Sequence, residues 1–262
     1  MPRIEPSLIP VVTDLERGLR ELGIPFGVVG ALVPELLLDA RPWRMTNDAD
    51  VTVVVQSLAD FDALKDRLAG YGFTRAGLPY RMRHRDGGLT DILPFSEAIA
   101  PDGRLQLGEG FVFNMAGFGH VVPNAVPTSI EGGPTLPLAP LPLYALLKLV
   151  AFSDRKEAKD LAGVLHCLTH YLEDDQRRYG LDHAGEGVPY EYTCAYALRA
   201  DARSFLDGLL RLTVAAVLDR FDEPDADIVG IVAREEGRGL AEDEHRFEIF
   251  ELFRWYRLGT GL

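Results

Sequence analysis

Apolar residues recur along this chain with two different periods. Leu8, Val11, Val12, Leu15, Leu19 and Leu22 follow the three-and-four spacing of one helix face. They predict a first helix over residues 7–21, ended by Gly23. A short buried strand over 25–29 follows, and Gly30-Ala31 turns the chain into a second helix over 32–39, with Pro34 in its first turn. A second strand is predicted over 48–55. Ser57 with Asp60 reads as a capping box in which Asp replaces the usual Glu, and it opens a helix that places Phe61, Leu64 and Leu68 on one face. Two more strands, 80–85 and 89–93, flank Asp86-Gly87-Gly88, which is hairpin chemistry.

From residue 120 to 142 the chain carries Pro123, Pro127, Pro134, Pro137, Pro140 and Pro142. Proline is excluded from helix interiors and central strands, so this stretch reads as edge strand and linker, with a domain boundary near 138. Beyond it the period is helical, and helices are expected over 141–152, 156–172, 190–199, 202–221 and 242–257. In the last, Phe247, Phe250, Phe253 and Tyr256 form an aromatic stripe that reads as core packing. The expected fold class is α+β: residues 1–138 form a mixed sheet flanked by helices, and residues 139–262 form an all-helical domain.

Composition narrows the classes. The chain has 262 residues, 47% of them hydrophobic, which is enough for a sizeable core in one or two domains. A formal net charge of −13 argues against a dedicated duplex-DNA binder, which presents a basic face. The two cysteines, Cys167 and Cys194, fall in helical segments and suggest neither a disulfide framework nor a zinc site. The first residues lack the apolar core of a signal peptide, and no apolar run is long enough to span a membrane. A cytoplasmic protein with no membrane partner is expected.

The most informative segment is Thr46-Asn47-Asp48-Ala49-Asp50, which leads into the strand Val51-Thr52-Val53-Val54-Val55. Side chains alternate along a strand, so Asp48 and Asp50 share a face, with Cα atoms roughly 6.5–7 Å apart. Both carboxylates can then converge on hard cations. A lone Asp-x-Asp is common at solvated strand entrances, but two features add to this one. Gly30 and Ala31 lie in a strand–turn–helix unit that lets backbone N–H groups approach a phosphate. Asp91 sits within Leu89-Thr90-Asp91-Ile92-Leu93, where a carboxylate is costly to bury without a partner, and a metal ion would supply one. Three acids from two strands suit a two-metal site, with Asp48 and Asp50 bridging the ions and Asp91 on the ion nearer the nucleophile or acting as general base.

The second segment is basic. Arg155 and Lys159 each fall within about 20° of Lys148 on a continuous helix, and the three would line one face able to hold phosphates. A break at Ser153-Asp154 would undo this alignment. Arg81, Arg83 and Arg85 alternate along one strand, either as a charged edge or as a phosphate-contacting row. Hairpin register separates the two. A Gly87-Gly88 turn pairs His84 with Asp91 and turns the arginines away, whereas an Asp86-Gly87-Gly88 loop pairs Arg83 with Asp91 and brings them in.

The order of these parts, namely strand–Gly30–helix, the Asp48/Asp50 strand, Asp91 on a later strand, then Lys148 and Asp154-Arg155-Lys156 with Lys159-Asp160, resembles the AbiEii-like nucleotidyltransferases of the DNA polymerase β-like superfamily. The resemblance covers residues 20–165. It implies a nucleoside triphosphate donor and Mg2+ or Mn2+ held by Asp48, Asp50 and Asp91. It also implies nucleotide contacts from Gly30, Ala31, Lys148, Arg155 and Lys159, with Asp160 at the motif's acidic position. The acceptor it implies is RNA, such as the acceptor end of tRNA, or protein, and the family includes toxins held by a cognate antitoxin. Transfer to a small cationic molecule of the aminoglycoside type is the alternative enzyme reading, which the acidic balance suits. A non-catalytic descendant that binds nucleotide or a partner is the third. The chain departs from the family in having Ala31 after the loop glycine and Gly163 where a second acid often ends the helical motif.

Overall fold

The first helix, α1, spans Leu8–Glu21 and buries Leu8, Val11, Val12, Leu15 and Leu19, the face its spacing predicts. The structure, a computed structural model, describes residues 4–42, 46–172, 174–183, 187–237 and 242–258. Strand β1 covers Phe26–Val28 and helix α2 covers Leu32–Leu37, shorter than expected at its C-terminal end. Strand β2, Asp48–Val54, starts at the first of the paired acids. Helix α3, Leu58–Arg67, is capped by Ser57, whose Oγ accepts from the Asp60 N–H at 3.1 Å and donates to the Asp60 carboxylate at 2.7 Å. The Ser57 cap is therefore present, with Asp60 bonded to the Ser57 hydroxyl.

Strands β3 (Phe73–Arg75), β4 (Arg81–His84), β5 (Leu89–Phe95), β6 (Arg104–Gln106), β7 (Val112–Asn114), β8 (Val126–Ser129) and β9 (Thr135–Leu138) complete the β structure. Among the described residues, seven of the nine strands form one sheet in the order β3-β4-β5-β2-β1-β9-β8, and β6 pairs with β7. The sheet is mixed: β2 runs parallel to β5, while β1 and β4 are antiparallel to those neighbours. The proline-rich stretch supplies the edge strand β8 and its inner neighbour β9, where Pro127 lies opposite Pro137.

Side chains alternate across the two central strands, and burial follows this alternation except at Thr52. On one face Val51 and Val53 of β2, Thr90 and Ile92 of β5, and Met82 and His84 of β4 are buried. Helix α1 packs on this face. A Cβ on Gly88 would meet Val11 at 2.6 Å, and His84 Nε2 lies 3.1 Å from Asp14, whose carboxylate also accepts from Arg85 at 2.6 Å. The opposite face carries Asp48, Asp50 and Asp91 and is only partly covered.

The chain divides into two compact units, Met1–Pro140 and Leu141–Leu262. The second is helical: α4 (Leu141–Arg155), α5 (Ala158–His170), α6 (Asp175–His183), α7 (Thr193–Ala202), α8 (Gly208–Leu218), α9 (Asp227–Glu236) and α10 (Glu242–Leu258). The helix expected over 202–221 is interrupted. Asp207 is extended and its side chain accepts from the Leu210 N–H, so α8 starts afresh there. The aromatic stripe of α10 is only partly core. Phe253 and Tyr256 are buried, but Phe247 is 52% exposed, because Ile249 and Leu252 take the buried positions beside them. Cys167 and Cys194 are free and buried, and burial pushes the Cys167 thiol up to about 12. Among the described residues no helix is long and apolar enough to cross a membrane.

Candidate active site

The parallel pairing of β2 with β5 sets Asp50 directly beside Asp91, and Asp48 beside Leu89. Neighbours in register point to the same side of a sheet, so Asp48, Asp50 and Asp91 occupy one face. Adjacent strands lie about 4.8 Å apart, which brings Asp50 and Asp91 close. Asp48 is held from behind: Thr46 Oγ1 donates to its Oδ1 at 2.5 Å, and the Thr46 N–H donates to the buried Glu35 of α2 at 3.2 Å. The sequence alone assigned no role to Thr46 or Glu35. A hydroxyl two residues before an aspartate was the signal for the first, and nothing in the sequence marked the second.

Gly30 is explained by Asp50. A Cβ built at residue 30 would fall 1.9 Å from Asp50 Oδ2 and 2.5 Å from its Cβ. The Asp50 carboxylate therefore occupies space that exists only because residue 30 has no side chain. The Val29 N–H donates to the Asp50 carbonyl at 2.9 Å, fixing the turn against the strand. Ala31 precedes α2, which is only six residues long, so the helix-terminus contribution expected at Gly30-Ala31 is small.

The hairpin takes neither expected register. His84 pairs with Gly88 across a three-residue Arg85-Asp86-Gly87 loop in which Gly87 has φ +96°, and this sets Arg81 opposite Asp91. Arg81 then grips Asp91 with a planar fork: Nε donates to Oδ1 at 2.6 Å and Nη2 to Oδ2 at 2.7 Å. The partner expected for a carboxylate in this apolar strand is thus a guanidinium from the neighbouring strand. The hydrogen bonds to Asp91 raise the Arg81 pKa above its ordinary value, with Asp48 adding to the same effect. The three-arginine row does not form. Arg81 is bound to Asp91, Arg85 reaches back to Asp14 on α1, and β4 is an interior strand rather than an edge.

Hard carboxylate oxygens beside a glycine turn suit a divalent cation, and Asp48 and Asp50 fit that role by donor chemistry and by sharing a face. Asp91 is engaged by Arg81 through both of its oxygens. Among the described residues no group of three or more His, Cys, Asp or Glu side chains is gathered closely enough to hold a metal ion.

In the helical unit the basic stripe is broken. Helix α4 ends at Arg155, Lys156 has φ +56°, and α5 begins at Ala158, so Lys148 and Lys159 lie on different helices. Asp160, fully buried, accepts from Arg155 Nε at 2.7 Å, from Arg155 Nη2 at 2.5 Å and from Lys148 Nζ at 3.2 Å. Lys159 pairs with Glu157 at 2.5 Å. Burial acts to raise the Asp160 pKa, but the hydrogen bonds and charges of Arg155 and Lys148 outweigh it and hold the carboxyl below its ordinary value. Gly163 has a packing reason, since a Cβ there would lie 2.8 Å from the Tyr144 hydroxyl.

No protein-family model matches the chain, and no curated protein does. Among solved structures it is similar to an antigenic nucleotidyltransferase-like protein from Paracoccidioides brasiliensis, at 20% identity and TM-score 0.40, over 63% of this chain and 77% of that one. It is similar to the antibiotic-resistance factor ANT(2'')-Ia, at 15% identity and TM-score 0.36, over 82% of this chain and 93% of that one. A third likeness is to the CdnE cyclic dinucleotide synthase of Elizabethkingia meningoseptica, at 10% identity and TM-score 0.32, over 95% of this chain and 91% of that one.

Proposed function

We propose that this chain is a nucleotidyltransferase that takes a nucleoside monophosphate from a nucleoside triphosphate and attaches it to an acceptor. The observation that carries this reading is the placement of Asp48, Asp50 and Asp91 on one face of two adjacent parallel strands, with Gly30 shaped around the Asp50 carboxylate. Asp48 and Asp50 would hold Mg2+ or Mn2+. When bound, the ion neutralises triphosphate charge and favours departure of pyrophosphate. Thr46 orients Asp48, Gly30 makes room for Asp50, and Arg81 holds Asp91. In the reaction a bond forms between an acceptor oxygen and the α-phosphorus. The bond from that phosphorus to the pyrophosphate oxygen breaks, and the acceptor proton passes to solvent or a base.

The finer reading, membership of the AbiEii-like group with a toxin role, rests on the order of motifs in the sequence. Two observations bear on the acceptor. Arg81 of β4 and Arg85 of the loop after it are bound to aspartates, and the chain has net charge −13. Both favour a small cationic acceptor over RNA. Incubation with α-labelled triphosphates, Mg2+, and tRNA, protein or aminocyclitol acceptors tests the function. Label transferred by the wild-type chain and not by Asp50→Asn supports it. Equal counts from both proteins, or none with any acceptor and no nucleotide binding, remove it.

A further inference from the structure

We propose that Arg81 stands in for a second divalent cation at Asp91, so that the acidic face of this chain takes one ion rather than two. The inference rests on the nucleotidyl-transfer reading above and specifies how that site is charged. Arg81 lies directly opposite Asp91 in the β4–β5 register and uses two parallel hydrogen bonds, at 2.6 and 2.7 Å, to occupy both carboxylate oxygens. Such a fork is the most specific carboxylate contact an arginine makes. The guanidinium keeps its charge at any working pH and, once placed, repels a dication from the same carboxylate.

Charge balance points the same way. With the Asp91 charge met by Arg81, a second dication at that carboxylate has no negative charge left to neutralise. The one ion is then assigned to Asp48 and Asp50. Asp48 is already oriented by Thr46, and Asp50 is seated against Gly30. The pairing is also built in rather than incidental. The loop of Arg85, Asp86 and Gly87 fixes the register, and Asp14 on α1 anchors the loop through His84 and Arg85. A register one residue different would turn Arg81 to the other face. Arg81 is therefore a positioning residue: it fixes Asp91 and contributes a tethered positive charge where the two-ion arrangement places a mobile one.

Electron paramagnetic resonance of bound Mn2+ on the full chain, with a non-hydrolysable triphosphate, reads the number of ions directly. Two Mn2+ ions about 3.5–4 Å apart couple magnetically, and a single ion does not. The wild type is expected to show one uncoupled ion. Asp91→Asn should retain it with an affinity within about threefold, a shift too small for loss of a ligand. Arg81→Met, which removes the charge and keeps the length, should acquire a second, coupled ion. A coupled pair in the wild type that Asp91→Asn reduces to one ion overturns the proposal while leaving nucleotidyl transfer intact. One ion in Arg81→Met, with circular dichroism showing a folded chain, also overturns it. No bound Mn2+ in any of the three proteins removes the underlying functional reading, and this inference with it.

Discussion

Asp91 in the sheet and Asp160 in the helical unit each accept two hydrogen bonds from one arginine side chain, at 2.6 and 2.7 Å from Arg81 and at 2.7 and 2.5 Å from Arg155. Their surroundings differ. The Asp160 side chain is wholly buried and has a second cation in Lys148, whereas the Asp91 side chain is 16% exposed on a face shared with two further acids. A carboxylate sealed from water with two cations is a structural tie across the break between α4 and α5. One that keeps contact with solvent beside other acids borders the proposed site, and there Arg81 meets its charge. The same fork therefore belongs to packing in one unit and to the proposed site in the other, and burial separates the two cases.

Substitutions at the two places should separate these roles. Asp50→Asn or Asp48→Asn should lower transfer by about 10²–10³-fold, the usual cost of removing one group that stabilises developing charge, with the melting temperature little changed. Steady-state rates beside thermal melts check this. Asp160→Ala should do the reverse in kind, lowering stability by about 3 kcal/mol. That is the low end for breaking a buried pair, because Arg155 and Lys148 can turn to solvent. Urea denaturation reads it. Gly163→Asp, which would bring the chain nearer the family motif, should destabilise by about 1–3 kcal/mol through collision with Tyr144, and a gain in stability or activity would refute the packing explanation.

The smallest effect is on pH. The folded-state pKa of Asp160 lies below its unfolded value of 3.8, so its stabilisation is fully present above that value. As pH falls, the unfolded chain takes up the proton first, and the contribution is lost as pH drops through the folded pKa. The stability difference between wild type and Asp160→Asn should therefore shrink only below the ordinary carboxylate range. A difference already declining at pH 5–6 would contradict the assignment.

Local signals in the sequence led to much of this architecture. The face of α1, the Ser57–Asp60 cap and the strand start at Asp48 each depend on residues a few positions apart, and each is present. What depends on distant contacts was not legible. Hairpin register came out at Arg81↔Asp91 because Asp14 on α1 holds His84 and Arg85, about seventy residues away along the chain. The break between α4 and α5 was expected after residue 152 and falls a turn later, at Lys156 and Glu157, because Lys156 takes a positive φ that its side chain does not advertise. Helix α9, Asp227–Glu236, is rich in β-branched Ile and Val, whose propensities mask a helical pattern. The acids themselves were visible because charge in an apolar strand is conspicuous. That the partner of Asp91 is an arginine was not, since a metal and a guanidinium answer the same demand.

Nucleotidyl transfer as proposed requires Asp48 and Asp50 together to bind a divalent cation that carries a nucleotide. Calorimetric titration of the wild type and Asp50→Asn with a non-hydrolysable triphosphate, with and without Mg2+, tests it most directly. Binding should require Mg2+ and be lost in Asp50→Asn. Binding of equal strength without Mg2+, or binding untouched by the substitution, would contradict it.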